Sequence, residues 1–349
     1  MARRKTRISL QDIATELNIS RNAVSLALAG KPGIGPELRQ RIHDSAERLQ
    51  YRGPTKASIT KGLNFISLAP EFPAGENPFY THIFSGIEQG LKSAGHHLMF
   101  ASVTNNQYDD PRLPSIFQTI KFAGILLIGA FPARYIQKIQ SSGLPMVIVD
   151  HQLENLPVHT VGCTNSSGMY QLTQLILNSG HTDIGFIGPI QLSRAYYERW
   201  TGFCRAMEQA DVERNKQAEI TESWPIDQID NLEIIRSAMR NLPHIPRVFI
   251  CLSDLIAMSV MVVLREMGLR IPTDVSLTGF DDIQAAHLTL PPLTTYRAPR
   301  LEMGREAARY ICQLVAQPGL PPSQREMYGS LQIRESVLSL TGKPELQYS

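Results

Sequence analysis

The apolar residues Leu10, Ile13, Ala14 and Leu17 recur at three- and four-residue spacing, the repeat of a helix that buries one face. Ser9 stands just before this run and Asp12 three residues later, the pattern of a capping box. The spacing predicts a helix ending near Leu17, then a sharp turn at Asn18, a residue that tolerates the left-handed conformation. Ile19 points inward. Ser20 then caps a second helix that buries Val24 and Leu28, stops at Gly30, and turns Arg21, Asn22 and Ser25 outward. Gly35 and Pro36 open a third helix with Leu38, Ile42, Ala46 and Leu49 on one stripe. Small Ala14 permits close helix approach, and residues 1–51 make one small helical domain. Two short helices set at an angle, the second with a polar outer face, have the form of a helix-turn-helix that meets base edges and phosphates. A surface helical hairpin is the plainer alternative.

The pattern changes after residue 51. Residues 52–63, RGPTKASITKGL, carry little apolar content and read as a linker. Beyond it, short apolar runs alternate with longer amphipathic stretches: FISLA at 65, HLMFA at 97, GILLIG at 124, MVIVD at 146, IGFIG at 184, VFICL at 248 and VSLTG at 275. Such runs read as buried parallel strands between crossover helices, an α/β fold. Their number suggests two doubly wound subdomains over residues 64–340. The segment from Asp254 to Met267 is apolar on more than one face, which fits a helix buried on two sides or shared with a second subunit. The tail, residues 341–349, has no leucine heptads, so a dimer is expected rather than a tetramer.

Charge sharpens this division. The chain carries 34 Lys and Arg against 32 Asp and Glu, a net +2, but residues 1–62 alone hold twelve basic and five acidic side chains. A basic head therefore sits on an acidic body, as in a protein that meets nucleic acid through one end. Cys163, Cys204, Cys251 and Cys312 lack C-x-x-C spacing and are expected as buried free thiols. The start, MARRKTR, has no apolar signal region, and no apolar run reaches membrane-spanning length. These features predict a cytoplasmic protein with no membrane partner.

Several segments, met in order, are similar to the LacI/GalR family of bacterial transcription regulators: NPFY at 77, GIEQGLKSAG at 86, IVDHQ at 148, GHTDIGFIG at 180, ERWTGF at 198, GLRIPTDVSLTGFDD at 268 and PPLTTYRAPRLEMGREAA at 291. The resemblance covers nearly the whole chain. It implies a DNA-binding head, a hinge, and a ligand-binding core shaped like a periplasmic sugar-binding protein. It also implies a homodimer on pseudo-palindromic operator DNA, controlled by a small polar effector such as a sugar or sugar derivative. A periplasmic-type sugar-binding protein without a regulatory role is the alternative.

The resemblance also assigns residues. In the head it puts Arg21 and Asn22 on bases, chemistry that suits guanine and adenine. The family's T-V-S-R run reads Ala23, Val24, Ser25 and Leu26 here, so Leu26 either touches a thymine methyl or packs against partner or hinge. Ser9, Ser20 and Ser25 are phosphate donors or simple caps. In the linker, Ala57 matches the family hinge, Ser58 replaces an arginine, and Ile59 is either a minor-groove wedge or an ordinary linker residue.

Ligand groups are expected between the subdomains, at strand ends. Asp150 and Asp281 can accept paired hydrogen bonds from neighbouring hydroxyls, and Arg199 offers a planar donor fork. Phe79 and Trp224 offer flat faces to a sugar ring, or serve the core. Ser253 replaces a family asparagine ahead of Asp254, removing an amide donor. The sequence contains no nucleophile elbow, phosphate-binding loop, dinucleotide fingerprint or metal-spaced His and Cys set. A binding protein without cofactor or metal is expected, not an enzyme.

Overall fold

Asn18 adopts φ 53° between α1 (Leu10–Leu17) and α2 (Arg21–Leu28), and this one left-handed residue lets two short helices pack at an angle. The computed structural model describes residues 10–28, 33–49, 62–70, 78–110, 112–153, 155–222, 224–225 and 230–341. Ser9, Gly30, Ala57, Ile59, Asn77 and nearly all of the linker and tail lie outside them. The chain divides into two units, residues 1–61 and 62–349.

In the first unit α3 (Pro36–Arg48) joins α1 and α2. Ile13, Ala14, Val24, Ala27, Ile42 and Ala46 are buried together, with Leu10, Leu17, Ile19, Leu28 and Leu49 around them. Leu28, expected inside, is half-buried, and Ala27 occupies the interior position. The turn is closed by the Ile19 amide donating to the Ala14 carbonyl at 3.0 Å. Ser20 Oγ accepts from the Ala23 amide at 3.1 Å, satisfying a donor that a helix start leaves open. Arg39 Nη1 donates to the Ala27 carbonyl at 2.9 Å, a cation at the negative end of α2. Ser45, though buried, donates to Glu16 Oε2 at 2.8 Å, and Arg48 pairs with the same carboxylate.

The second unit contains two six-stranded sheets. The first subdomain is built from β1 (Asn64–Pro70), α4 (Pro78–Ser93), β2 (His97–Val103), α5 (Ile116–Thr119), β3 (Gly124–Ile128), α6 (Ala133–Gln140), β4 (Met146–Val149) and β5 (His159–Cys163). The second contains α7 (Asn165–Asn178), β6 (Ile184–Ile187), α8 (Arg194–Gln209), β7 (Glu219–Ile220), α9 (Leu232–Arg240), β8 (Val248–Cys251), α10 (Asp254–Glu266), β9 (Ser276–Asp281), α11 (Gln284–Leu288) and β10 (Thr294–Arg297). The chain then returns through α12 (Arg300–Ala316) and β11 (Gln324–Met327) to the first sheet and ends in β12 (Ser330–Gln332) on the second. The strand orders are β11-β5-β4-β3-β1-β2 and β12-β10-β9-β8-β6-β7. Three connections thus join the subdomains, after β5, after β10 and after β11.

Several expectations are corrected here. The run at 97 forms an edge strand, β2, with Phe100 half-exposed. One pair, β10 with β12, is antiparallel. Gly62 and Leu63, read as linker, belong to the core unit: the Gly62 amide donates to Gly95, and the Leu63 carbonyl accepts from His97. All four cysteines are free, but only Cys163 and Cys251 are buried. The second apolar face of α10 is covered by α9 of the same chain, fastened by Arg236 to Glu266 at 2.8 and 2.9 Å. The large apolar residues left exposed here are Val262 of α10 and Met267 just after it.

Glycine sets two helix contacts. A Cβ on Gly86 of α4 would meet the Leu301 carbonyl of α12 at 2.2 Å, and one on Gly202 of α8 would meet the Ser166 carbonyl of α7 at 2.2 Å. Neither approach is open to a residue with a side chain. The second brings α8 down onto the start of α7, where Arg199 meets Asn165.

Candidate functional site

Two surfaces carry the expected residues. On the head, Arg21, Asn22 and Ser25 are exposed along one face of α2, and Leu26 is half-exposed beside them. Leu26 lies outside the head's apolar cluster, so the fold of this unit does not use it. Ser20 is engaged as the cap of α2.

In the core, Arg199 projects from α8 and is 3% exposed. Its Nε donates to Asn165 Oδ1 at 3.0 Å and its Nη1 to the Leu252 carbonyl at 2.9 Å. Nη2 lies 2.9 Å from Asp281 Oδ1, an ion contact off the hydrogen-bond axis that leaves Oδ1 without an aligned donor among the described residues. The guanidinium also lies 3.9 Å from the centre of the Phe280 ring, a cation over an aromatic face. Burial opposes the Arg199 charge, and Asp281, Tyr196 and Asp150 outweigh it, so its pKa stands above the ordinary arginine value.

Asp150 follows β4 with φ 62°, and Asp281 ends β9 with φ 116°. Both are left-handed conformations that an L-residue adopts at a cost, and such strain gathers at ligand sites. Tyr80 donates to Asp150 Oδ2 at 3.2 Å. Burial, with Asp281 and Glu198 adding to it, pushes the Asp150 carboxyl up to about 7 against the pull of Arg199 and the Tyr80 hydrogen bond. Burial likewise raises Asp281, although Arg199 and Arg300 draw it down. Arg199 and Asp281, from the second subdomain, therefore act electrostatically on Asp150 of the first.

Phe79 is joined to this cluster indirectly. It meets Tyr80 edge-on at 5.1 Å, and Arg300 stands 5.7 Å over its ring while donating to the Asp282 carbonyl at 2.6 Å. Ser253 is buried, accepts from the Ile256 amide at 3.4 Å as the cap of α10, and hydrogen-bonds Tyr196. Trp224 is buried in the large apolar cluster; its Nε1 has no partner among the described residues. Asp254 is structural, holding Thr295 Oγ1 at 2.6 Å and the Ile283 amide at 2.8 Å.

Sequence reasoning missed Tyr80, His151, Gln152, Asn165, Tyr196 and Glu198. Tyr80 and His151 sit inside the motifs NPFY and IVDHQ, and Glu198 precedes Arg199 in ERWTGF. Their signal was present but their direction was not. Among the described residues no three His, Cys, Asp or Glu side chains are grouped to hold a metal ion. None of the described helices is long and apolar enough to cross a membrane.

A helical head preceding two parallel-sheet subdomains, with polar residues converging at strand ends, defines a ligand-binding core joined to a helix-turn-helix. Residues 173–337 match the family described as periplasmic binding protein-like domain. The chain is 26% identical over 340 residues to the ribose operon repressor of Haemophilus influenzae, covering 95% of this chain and 99% of that one. It is 25% identical over 336 residues to the HTH-type transcriptional repressor PurR of Escherichia coli, covering 94% and 96%. Among solved structures, the transcriptional regulator CelR–cellobiose complex superposes with a TM-score of 0.70 at 24% identity, covering 95% of this chain and 100% of that one. Over nearly its whole length the chain is thus similar to transcriptional repressors, and its core to a periplasmic binding protein-like domain.

Proposed function

We propose that the protein is a sequence-specific repressor whose affinity for operator DNA is set by a small polar effector, a sugar or sugar derivative, held between the core subdomains. The observation that carries this reading is the convergence of Asp150, Arg199 and Asp281, two strand-end carboxylates and a buried guanidinium, in a chain similar over its full length to two named repressors. The relatives are transcription regulators rather than enzymes, and the protein is read as a non-enzyme that needs no cofactor.

In this reading residues 1–51 are the DNA-binding head, 52–61 the hinge, 62–340 the effector and dimerisation core, and 341–349 a tail. Arg21 and Asn22 read bases, Ser25 and Leu26 flank them, Ser9 and Ser20 approach phosphates, and Ala57 and Ile59 meet DNA from the hinge. Phe79, Trp224 and Ser253 complete the effector site around Asp150, Arg199 and Asp281. The protein acts as a homodimer on a pseudo-palindromic operator in the cytoplasm. The exposed Leu288 and Leu290, two residues apart, support a partner subunit, since burial of exposed apolar side chains favours association.

Selection of the full-length protein against random duplexes tests this. The expected product is a two-half-site sequence, and Arg21→Ala relaxes one base pair in each half at a cost of about 1–3 kcal/mol. Recovery of no consensus overturns the reading.

A further inference from the structure

At the strand-end cluster a small cavity opens against Asp150, His151, Gln152, Asn165, Arg194 and Glu198. Its volume is about 20 Å3, and a cavity needs roughly 10–15 Å3 to admit a group the size of one water. Three consecutive residues after β4 bring lone pairs to it. Asp150 has Tyr80 as its side-chain hydrogen-bond partner and no ion pair among the described residues. The His151 ring bonds the Phe131 carbonyl, while its buried Nε2 has no partner among the described residues. In the neutral tautomer that donates to this carbonyl through Nδ1, Nε2 is an acceptor. Gln152 Oε1 is likewise buried without a partner among the described residues.

Apart from the Gln152 amide, whose Nε2 stands near Gly162, the donors and cations at this place are already committed. Arg194 pairs with Glu198 at 2.7 Å, Asn165 donates to the Cys163 carbonyl and to Glu198, and Arg199 is held by Asn165, Leu252 and Asp281. At Asp150 the pull of Arg199 is opposed by Asp281 and Glu198, and the charge of Arg194, which also lines the cavity, is spent on Glu198. Three acceptors, one of them a carboxylate lacking an ion pair, face a space for a single heavy atom. A hydroxyl brings one donor and a water two; an ammonium brings three and a charge.

We propose that the effector is an amino sugar whose ammonium seats in this cavity, donating to Asp150, His151 Nε2 and Gln152 Oε1. This rests on the reading of the core as an effector site and narrows the effector to a cationic class.

The test is calorimetric titration of the full-length protein near neutral pH with glucosamine, galactosamine and mannosamine, beside their neutral parents glucose, galactose and mannose and the uncharged N-acetylglucosamine. One hexosamine should bind about tenfold to a hundredfold more tightly than its parent, the scale of a charged hydrogen bond. Asp150→Asn should erase that preference. Asparagine suits the left-handed backbone at this position, so the variant should fold, and its melting curve checks this. His151→Phe, which keeps a flat ring but removes the acceptor, should reduce the preference by a smaller factor. A neutral sugar binding as tightly as its amine, a preference that survives in Asp150→Asn, or no binding by any of the three amines overturns the proposal. Binding of a neutral sugar alone leaves the effector reading standing while this narrower one fails.

Discussion

Arg199 and Asp281 bring opposite charges within 2.9 Å of each other in a site where the side chains are 3% and 11% exposed. Each needs the other: removing one partner of a buried pair leaves an uncompensated charge, at a typical cost of 3–5 kcal/mol, whereas replacing both by apolar groups is often neutral. Asp281→Ala should therefore lower the stability of the unliganded core by about 3 kcal/mol or more. The double variant Arg199→Met with Asp281→Leu should recover most of that loss. Urea unfolding of the parent, both single variants and the double variant measures the coupling; single-variant costs below about 1 kcal/mol would show that the pair is solvated.

The raised carboxyl of Asp150 gives a pH dependence with a defined sign. Its folded pKa is about 7, above the ordinary value of 3.8, so the folded protein holds the proton over the window between them and the unfolded chain does not. That contribution is complete below the lower value and disappears as pH rises through the upper one. Unliganded parent protein should lose stability from this group between about pH 4 and 7, with a slope of at most about 1.4 kcal/mol per pH unit. Asp150→Asn should flatten that part of the profile and gain relative to parent at pH 8. Melting temperatures of the two proteins at pH 5 and 8 decide it, and parallel profiles would contradict the assignment.

How much of this was legible in sequence depends on what each residue's role requires. Asn18, Ser20, Val24 and Ile42 act through neighbours on the same or the adjacent helix, so periodicity and cap chemistry revealed them. The strands β5 and β10 were not legible because polar residues are buried in them, and β11 and β12 were not because their residues are exposed or half-buried. In β10, Thr294 Oγ1 donates to the Arg334 carbonyl and Thr295 Oγ1 to Asp254, so two polar residues lie inside while Arg297 at the strand end stays exposed. Asp150 and Asp281 were found because strand ends converge in open α/β sheets. His151 and Asn165 were not, since their role depends on which ring nitrogen is bonded and on how closely Gly202 lets α8 approach α7.

Leu26 gives a test of base reading that needs no second protein variant. It is half-exposed on the face shared by Arg21, Asn22 and Ser25 and outside the head's cluster, and the apolar feature of base edges in the major groove is the thymine methyl. Once the operator is selected, each thymine can be exchanged for deoxyuridine, which lacks that methyl. One position per half-site should weaken parent binding by about fourfold, the value of one buried carbon, and leave Leu26→Ala unaffected. Uniform affinity across all uracil-bearing operators would return Leu26 to a packing role.

The central claim is that effector and operator are coupled through one chain. The linker residues 52–61 carry too little apolar content for a core of their own, so their order depends on the core and the DNA they join. Two heads must also meet half-sites at a fixed helical spacing. The most direct measurement is a titration, with the sugar that most raises the melting temperature, of the full-length protein alone and saturated with its selected operator at one salt concentration. The account predicts effector affinities differing by about 5- to 150-fold between the two titrations, matched by the same factor in operator affinity with and without effector. Equal effector affinities in the presence and absence of operator would contradict it.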